Sequence, residues 1–401
     1  MPAVTDAFEL AFRPGRIGSV ELRNRILKSA TFEGMSPGGT VTRELVEHHR
    51  SVAAGGAALT TVAYCAVSRD ARTFEDQLWI RPEVVPALRE LTEAVHAEGA
   101  KASLQLAHAG FFTQVAENRG RGALGPSPTL NVYGLGHGKA FAKGMTPEEI
   151  GRVVSDFGEA ARLAVDAGFD AVELHLGHGY LLSQFLSPAT NKRSDEWGGS
   201  LENRLRLPLD VVREVRRRTG TSVALLAKIN LRDGFRGGLE LEESIEVARA
   251  LERTGVDALV LSGGFTSRNA FYLLRGDAPV SAMARAAKSR VHGTVLRLFG
   301  RFLVRSYPFE ELFFLPEARR IRESVGLPLA LLGGVVSRRG LATAMREGFD
   351  FVAMARALIA DPDLPLRMRR GEVERSRCTH CNLCVVEMER GGVRCVLGTT
   401  S

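Results

Sequence analysis

No run among the 401 residues stays apolar for the eighteen or so positions that a helix needs to cross a bilayer. The start, MPAVTDAFEL, has neither a basic n-region nor an apolar core, so no secretory leader is expected. Cysteine is scarce: of five, four fall between Cys378 and Cys395 and Cys65 stands alone. That distribution excludes a disulfide framework spread over a secreted chain and reads as metal ligands in a reducing cytoplasm. Also missing is a G-x-G-x-x-G after the first apolar run, the phosphate-binding turn of an open dinucleotide-binding sheet. The net charge of +7 is not spread over the chain. Residues 265–315 hold eight Arg or Lys against three acids, which accounts for +5 and leaves no general nucleic-acid footprint. With 45% hydrophobic and 25% charged residues, the chain is neither disordered nor fibrous and can bury a large core.

Short β-branched or Leu-rich runs recur, each followed by a longer stretch of helical periodicity. The runs are 25–31, 58–65, 101–108, 171–177, 224–231, 258–264, 329–335 and 351–356. Eight such units predict an α/β fold of the closed (β/α)8 type, a TIM barrel over residues 1–370 with a short Cys-rich tail over 371–401. Residues 265–315, long for a barrel loop, are expected as an insert after the sixth strand on the catalytic face.

Chemistry in a barrel belongs at the strand ends. Polar residues gather at three of them: Gln105 and His108, then His175, His178 and Tyr180, then Lys228 and Asn230. Two imidazoles can each donate an N–H to one anionic oxygen, and a nearby phenol can deliver a proton. A loop with two solvated histidines, or a zinc site, is the other reading of HLGHGY. The last strands end in Ser262-Gly263-Gly264, Gly333-Gly334 and Ala355-Arg356. Glycines on adjacent strand ends let backbone N–H groups approach a phosphate, whose charge an arginine balances.

The string ELHLGHGYLLSQFLSPATNKRSDEWGGSLENR, with LRNRILKSAT, SLQLAHAG and LLGGVVSRRG, resembles the old yellow enzyme family of FMN-dependent NADH:flavin oxidoreductases over roughly residues 8–370. The resemblance implies FMN as cofactor, NAD(P)H as reductant, and hydride transfer to an activated C=C bond of a small unsaturated substrate such as an α,β-unsaturated carbonyl. It assigns His175 and His178 to the substrate's electron-withdrawing oxygen and Tyr180 to proton donation. Gln105 falls to the flavin pyrimidine edge, and Gly333, Gly334, Ala355 and Arg356 fall to the phosphate. Ser29, Ala30, Thr31 and Ala63 lie in segments lining the ring system. Lys228 stands where family members carry an arginine near the flavin's N1 and O2, so a point charge replaces a bidentate fork. Phe32 stands where they often carry Thr or Cys, which removes any tuning by a hydroxyl or thiol there.

The spacing Cys378-x2-Cys381-x2-Cys384-x10-Cys395 suits a [4Fe-4S] cluster or a tetrahedral zinc. It resembles the cluster segment of the trimethylamine dehydrogenase and 2,4-dienoyl-CoA reductase branch. Six residues follow Cys395, so a cluster here is expected to draw electrons from a separate ferredoxin-like or flavoprotein partner. In the insert, RVHGTVLRLFGRFLVRS sets Arg290, Arg297, Arg301 and Arg305 on one helical face, with Val295, Leu298, Phe299, Phe302 and Leu303 filling much of the rest. Two readings stand: a lid or oligomer contact that buries the apolar side, and a helix lying on an anionic membrane surface. A homo-oligomer is expected. Beside the reductase stand an oxidative flavin dehydrogenase or demethylase, and a non-catalytic barrel with structural zinc. Tyr180 favours reduction, since hydride addition to an alkene needs a proton at the neighbouring carbon.

Overall fold

In the computed structural model, which describes residues 4–115, 122–132, 134, 138–287 and 290–398, eight parallel strands close into a barrel. They are β1 (Ile26–Lys28), β2 (Leu59–Ala66), β3 (Lys101–Ala107), β4 (Ala171–Leu176), β5 (Ala224–Asn230), β6 (Ala258–Ser262), β7 (Leu329–Leu331) and β8 (Phe351–Met354). Neighbours in sequence pair throughout, and β8 returns to β1. Each apolar run read from the sequence holds one strand. The glycines after β6 and β7 lie outside them, in the loops that form the mouth.

Pleating sends every second side chain into the barrel. Near the N-terminal ends these are apolar, among them Leu27, Leu59, Leu226, Val260 and Phe351. A hairpin, Gly15–Ile17 paired with Val20–Leu22, closes that end by adding Ile17, Val20 and Leu22 to the same cluster. Near the C-terminal ends the inward positions turn polar: Gln105, Glu173, His175, Lys228, Asn230 and Ser262 are all buried. Register sets Gln105 beside Glu173, Lys228 beside His175, and Asn230 beside Ser262. The barrel is thus an oily plug below and a polar site above.

Around it run α1 (Arg43–Ala54), α2 (Val85–Ala97), α3 (Pro147–Asp166), α4 (Leu201–Thr219) and α5 (Leu241–Thr254). In α3, Thr146 and Glu149 form a capping box around Pro147 in the first turn, and Ile150, Val153, Phe157, Ala161 and Ala164 supply a buried stripe. Phe157 is fully buried, so its truncation to Ala would cost about 3–5 kcal/mol. The insert carries α6 (Val280–Ala286) and α7 (Arg290–Leu303), ahead of α8 (Leu315–Arg322) and α9 (Arg338–Arg346). Because α7 stops at Leu303, Arg305 lies beyond it and stacks over Tyr307 at 5.0 Å, so the expected four-arginine face is shorter than its sequence spacing. Lys288 lies outside the described residues. No helix among the described residues is long and apolar enough to cross a membrane.

Candidate active site

The three residues singled out after the fourth run meet at the barrel mouth. The His175 ring stacks on Tyr180 with centroids 4.3 Å apart and stands nearly perpendicular to His178 at 4.9 Å. His178 has a left-handed backbone, φ 58°, which costs a side-chain-bearing residue energy and persists only where neighbours hold it. Here they do: its N–H donates to Asn230 Oδ1 at 3.0 Å, its Nε2 meets Ser262 Oγ at 2.6 Å, and its carbonyl accepts the Thr266 N–H at 2.9 Å. Asn230 is itself fixed, donating to Asp233 Oδ1 and to the Gly264 carbonyl, each at 2.8 Å. Ends of β5 and β6 together therefore aim one imidazole.

Burial pushes His178 down to about 3, helped by the Lys228 charge, and holds His175 well below the usual imidazole range. Both rings are neutral at physiological pH and offer one N–H each. The Gly177 N–H points at His175 Nδ1 from 3.4 Å, which leaves Nε2 as that ring's donor.

One layer deeper, Glu173 accepts from Gln105 Nε2 at 2.6 Å and from Lys228 Nζ at 2.9 Å. Lys228 also reaches Ser29 Oγ at 3.2 Å, and Gln105 Oε1 accepts the Tyr64 N–H at 3.0 Å. Glu173 went unnoticed in the sequence although it was legible, since two residues before His175 on a strand means the same face. Tyr64 was not legible. Strict alternation would turn it outward with Val62, but the register shifts between Val62 and Cys65. Its ring instead stacks on Phe32 at 5.0 Å and lies 5.2 Å from Tyr180. Burial, and a hydrogen bond with Tyr180, raise the Tyr64 phenol well above its ordinary value.

At the ends of β7 and β8, Gly333 (φ 135°) and Gly334 (φ 80°) adopt conformations that L side chains rarely take, and a Cβ on Gly334 would come within 2.6 Å of Phe309. Ala355 opens the short helix Arg356–Ala360 beside them. The Ser29 N–H donates to the Met354 carbonyl at 2.8 Å, which ties β1 to β8 at this end, and Thr31 Oγ1 donates back to the Ser29 carbonyl at 3.2 Å. Ala30 follows in the same segment, half-buried, and the Ala63 N–H donates to Glu33 Oε1 at 2.9 Å. An FMN fits this donor set. Amide, hydroxyl and buried ammonium come from β3, the end of β1, and β5 to suit the ring's polar edge, while the glycines keep side chains off the backbone at the strand ends.

The Arg356 side chain turns toward the tail. Its guanidinium donates to the Leu274 carbonyl at 3.1 Å and to Asn382 Oδ1. It lines one small cavity with Asn382 and the four cysteines Cys378, Cys381, Cys384 and Cys395. Burial pushes the Cys384 thiol up to about 11 and raises Cys378, against the pull of the arginine, so both are protonated at neutral pH. Among the described residues no group of three His, Cys, Asp or Glu side chains is arranged to hold a metal ion. The four thiols are gathered around one space without forming a ligand cage.

The model of the NADH:flavin oxidoreductase / NADH oxidase family matches residues 10–267. The chain is 46% identical to the 4,4'-dithiodibutanoate disulfide reductase of Rhodococcus erythropolis over 96% of this chain and 94% of that protein. Its fold is similar to histamine dehydrogenase from Rhizobium sp. 4-9 (TM-score 0.80, 26% identity, 97% of this chain and 52% of that one). It is also similar to the old yellow enzyme homologue from Zymomonas mobilis (TM-score 0.71, 23% identity, 92% of this chain and 95% of that one). The chain spans about half the length of several other curated relatives.

Proposed function

Since the chain belongs to the NADH:flavin oxidoreductase / NADH oxidase family, that of old yellow enzyme, and is an FMN-type oxidoreductase, we propose that it reduces the activated C=C bond of a small α,β-unsaturated carbonyl compound at the expense of NAD(P)H. The observation that carries this reading is the pair of neutral imidazoles and the phenol packed in one mouth above the Gln105–Glu173–Lys228 corner. Bound FMN supplies the hydride. Gln105, Lys228 and Ser29 would hold its ring, with Ala30, Thr31 and Ala63 alongside, and the strand ends at Gly333, Gly334 and Ala355 would hold its phosphate, where the Arg356 guanidinium, bonded to Leu274 and Asn382, contributes only if it swings back from the tail.

His175 and His178 each present an N–H to the acceptor's carbonyl oxygen, which draws electron density from the double bond and makes the β carbon electrophilic. Tyr180 gives its phenolic proton to the α carbon, so one hydride and one proton complete the reduction. Tyr64, bonded to Tyr180, holds that phenol in place. The Rhodococcus relative, matched over 94% of its length, favours a disulfide as a second acceptor class. Hydride addition to one sulfur would expel the other as thiolate, which Tyr180 protonates, and the balance is two thiols.

Anaerobic NAD(P)H should bleach the flavin absorption of the purified protein, and a cyclic enone or 4,4'-dithiodibutanoate should restore it, the faster reoxidant identifying the acceptor class. His175→Ala and His178→Ala should each slow reoxidation by the enone roughly 10²- to 10⁴-fold while bleaching falls less. A colourless protein, or equal loss in both half-reactions, overturns the reading.

A further inference from the structure

We propose that α7 docks the protein on an anionic lipid surface. This helix lies the wrong way round for one that packs into its own core. Its small residues face inward: Gly293 and Gly300 are buried with Leu296 against α6. A Cβ on Gly293 would come within 2.8 Å of the Ala284 carbonyl oxygen, and one on Gly300 would strike Val280. Its large apolar residues face outward, with Leu298 62%, Phe299 55%, Phe302 73% and Val295 39% exposed. At the helical repeat these four span one stripe of roughly 100°. Exposed Arg301 borders it, over the Phe302 ring at 4.6 Å, and exposed Arg297 lies further round on the same side of the helix. The lid reading required the apolar side to bury against this chain, and that side is the one in solvent.

Charge selects the occupant. From residue 278 to 309 the sequence holds six Arg or Lys and no Asp or Glu. A two-fold contact centred on this helix would bring together two segments of the same sign, with no acid in either to offset the repulsion. A nucleic acid or acidic peptide would match the arginines and leave the apolar stripe wet. Lipid headgroups supply the missing negative charge and acyl chains take the rings, the arrangement of an interfacial amphipathic helix. The insert leaves the barrel beside the mouth, where Phe265 bridges to His178.

Vesicles of phosphatidylcholine alone, and of phosphatidylcholine with about 30% phosphatidylglycerol, provide the probe. The protein should co-sediment with the anionic vesicles only, and raising salt from about 0.1 to about 0.5 M should weaken binding at least tenfold. Phe299→Ser with Phe302→Ser, and separately Arg297→Gln with Arg301→Gln, should each weaken it by a factor on the order of ten or more, since one arginine near such a surface contributes on the order of fivefold. Both variants should keep the flavin absorption and its bleaching by NAD(P)H, as neither touches the mouth. Absence of wild-type binding, equal binding by either variant, or binding that needs the arginines but not the phenylalanines overturns the proposal. So does sedimentation equilibrium if it finds a dimer that the serine variant dissociates, which assigns the face to a second copy.

Discussion

Lys228 Nζ and Glu173 Oε1 lie 2.9 Å apart with both side chains buried, and Gln105 Nε2 donates to the same carboxylate at 2.6 Å. Removing one partner of such a pair leaves an uncompensated charge, so Glu173→Ala should lower stability by about 3–5 kcal/mol in denaturant unfolding and lower flavin occupancy. Glu173→Leu with Lys228→Met should recover most of the stability and none of the flavin. If the double variant is as unstable as the single one, the pair is not what holds this corner. Asn230 acts through His178. Asn230→Ala removes the oxygen that fixes the left-handed amide, so reoxidation by an enone should slow about ten- to hundredfold with bleaching by NAD(P)H unchanged. These residues differ in how far the sequence exposes them. His175, His178, Tyr180 and Lys228 announce themselves as polar side chains at strand ends, and Glu173 follows from alternation. Tyr64 is hidden because a bulge reverses the facing that alternation assigns, and nothing in the residue types marks where a bulge falls.

The insert and the tail are held by each other. Asn382, left-handed at φ 57°, donates to the Leu274 carbonyl at 2.6 Å and the Asp277 carbonyl at 2.8 Å, while the Asp277 N–H donates to the His380 carbonyl at 3.1 Å. The His380 ring stacks on Phe309 with centroids 3.3 Å apart. Asn382→Ala should therefore speed proteolysis within residues 274–309 while leaving the flavin spectrum in place, and an unchanged cleavage rate would show that the staple lies elsewhere. The tail's four thiols call for a metal analysis. After anaerobic purification, about four iron and four sulfide per chain would mark a cluster that draws the four thiols into a cage. Zinc at about one per chain would instead mark a structural knot, and no metal at all would defeat both. None of this coupling was legible in the sequence, because it joins residues far apart along the chain. The end of α7 was hidden for the same reason: the arginine spacing runs on through Arg305, whereas the helix stops at Leu303 and Tyr307 bridges back to Gly276.

At the scale of the molecule, the barrel was readable because each strand is a short apolar run between Gly-rich turns, and closure then forces the polar residues of different strands into one mouth. The same burial makes stability depend on pH. His48 and His175 are held well below the usual imidazole range by burial, His108 is pushed down to about 4 and His178 to about 3. An unfolded chain titrates its histidines near 6.5, so between that value and the depressed folded ones it binds protons that the folded state refuses. Stability is thus complete above about 6.5 and is lost as pH falls toward 4, by about 2 kcal/mol at pH 5 for a fully buried ring such as His108. Asp156, pushed up to about 6 by burial, and Asp233, also raised by burial, work in the opposite direction, as two carboxyls against six lowered imidazoles, His49 and His380 included. Denaturant unfolding should therefore give a free energy that drops steeply between pH 7 and pH 5, and His108→Asn should flatten that slope by about one proton's worth. A wild-type stability that stays level across this interval would mean that the buried rings take up protons in the folded state, and neutral imidazoles could not then be the donors at the mouth.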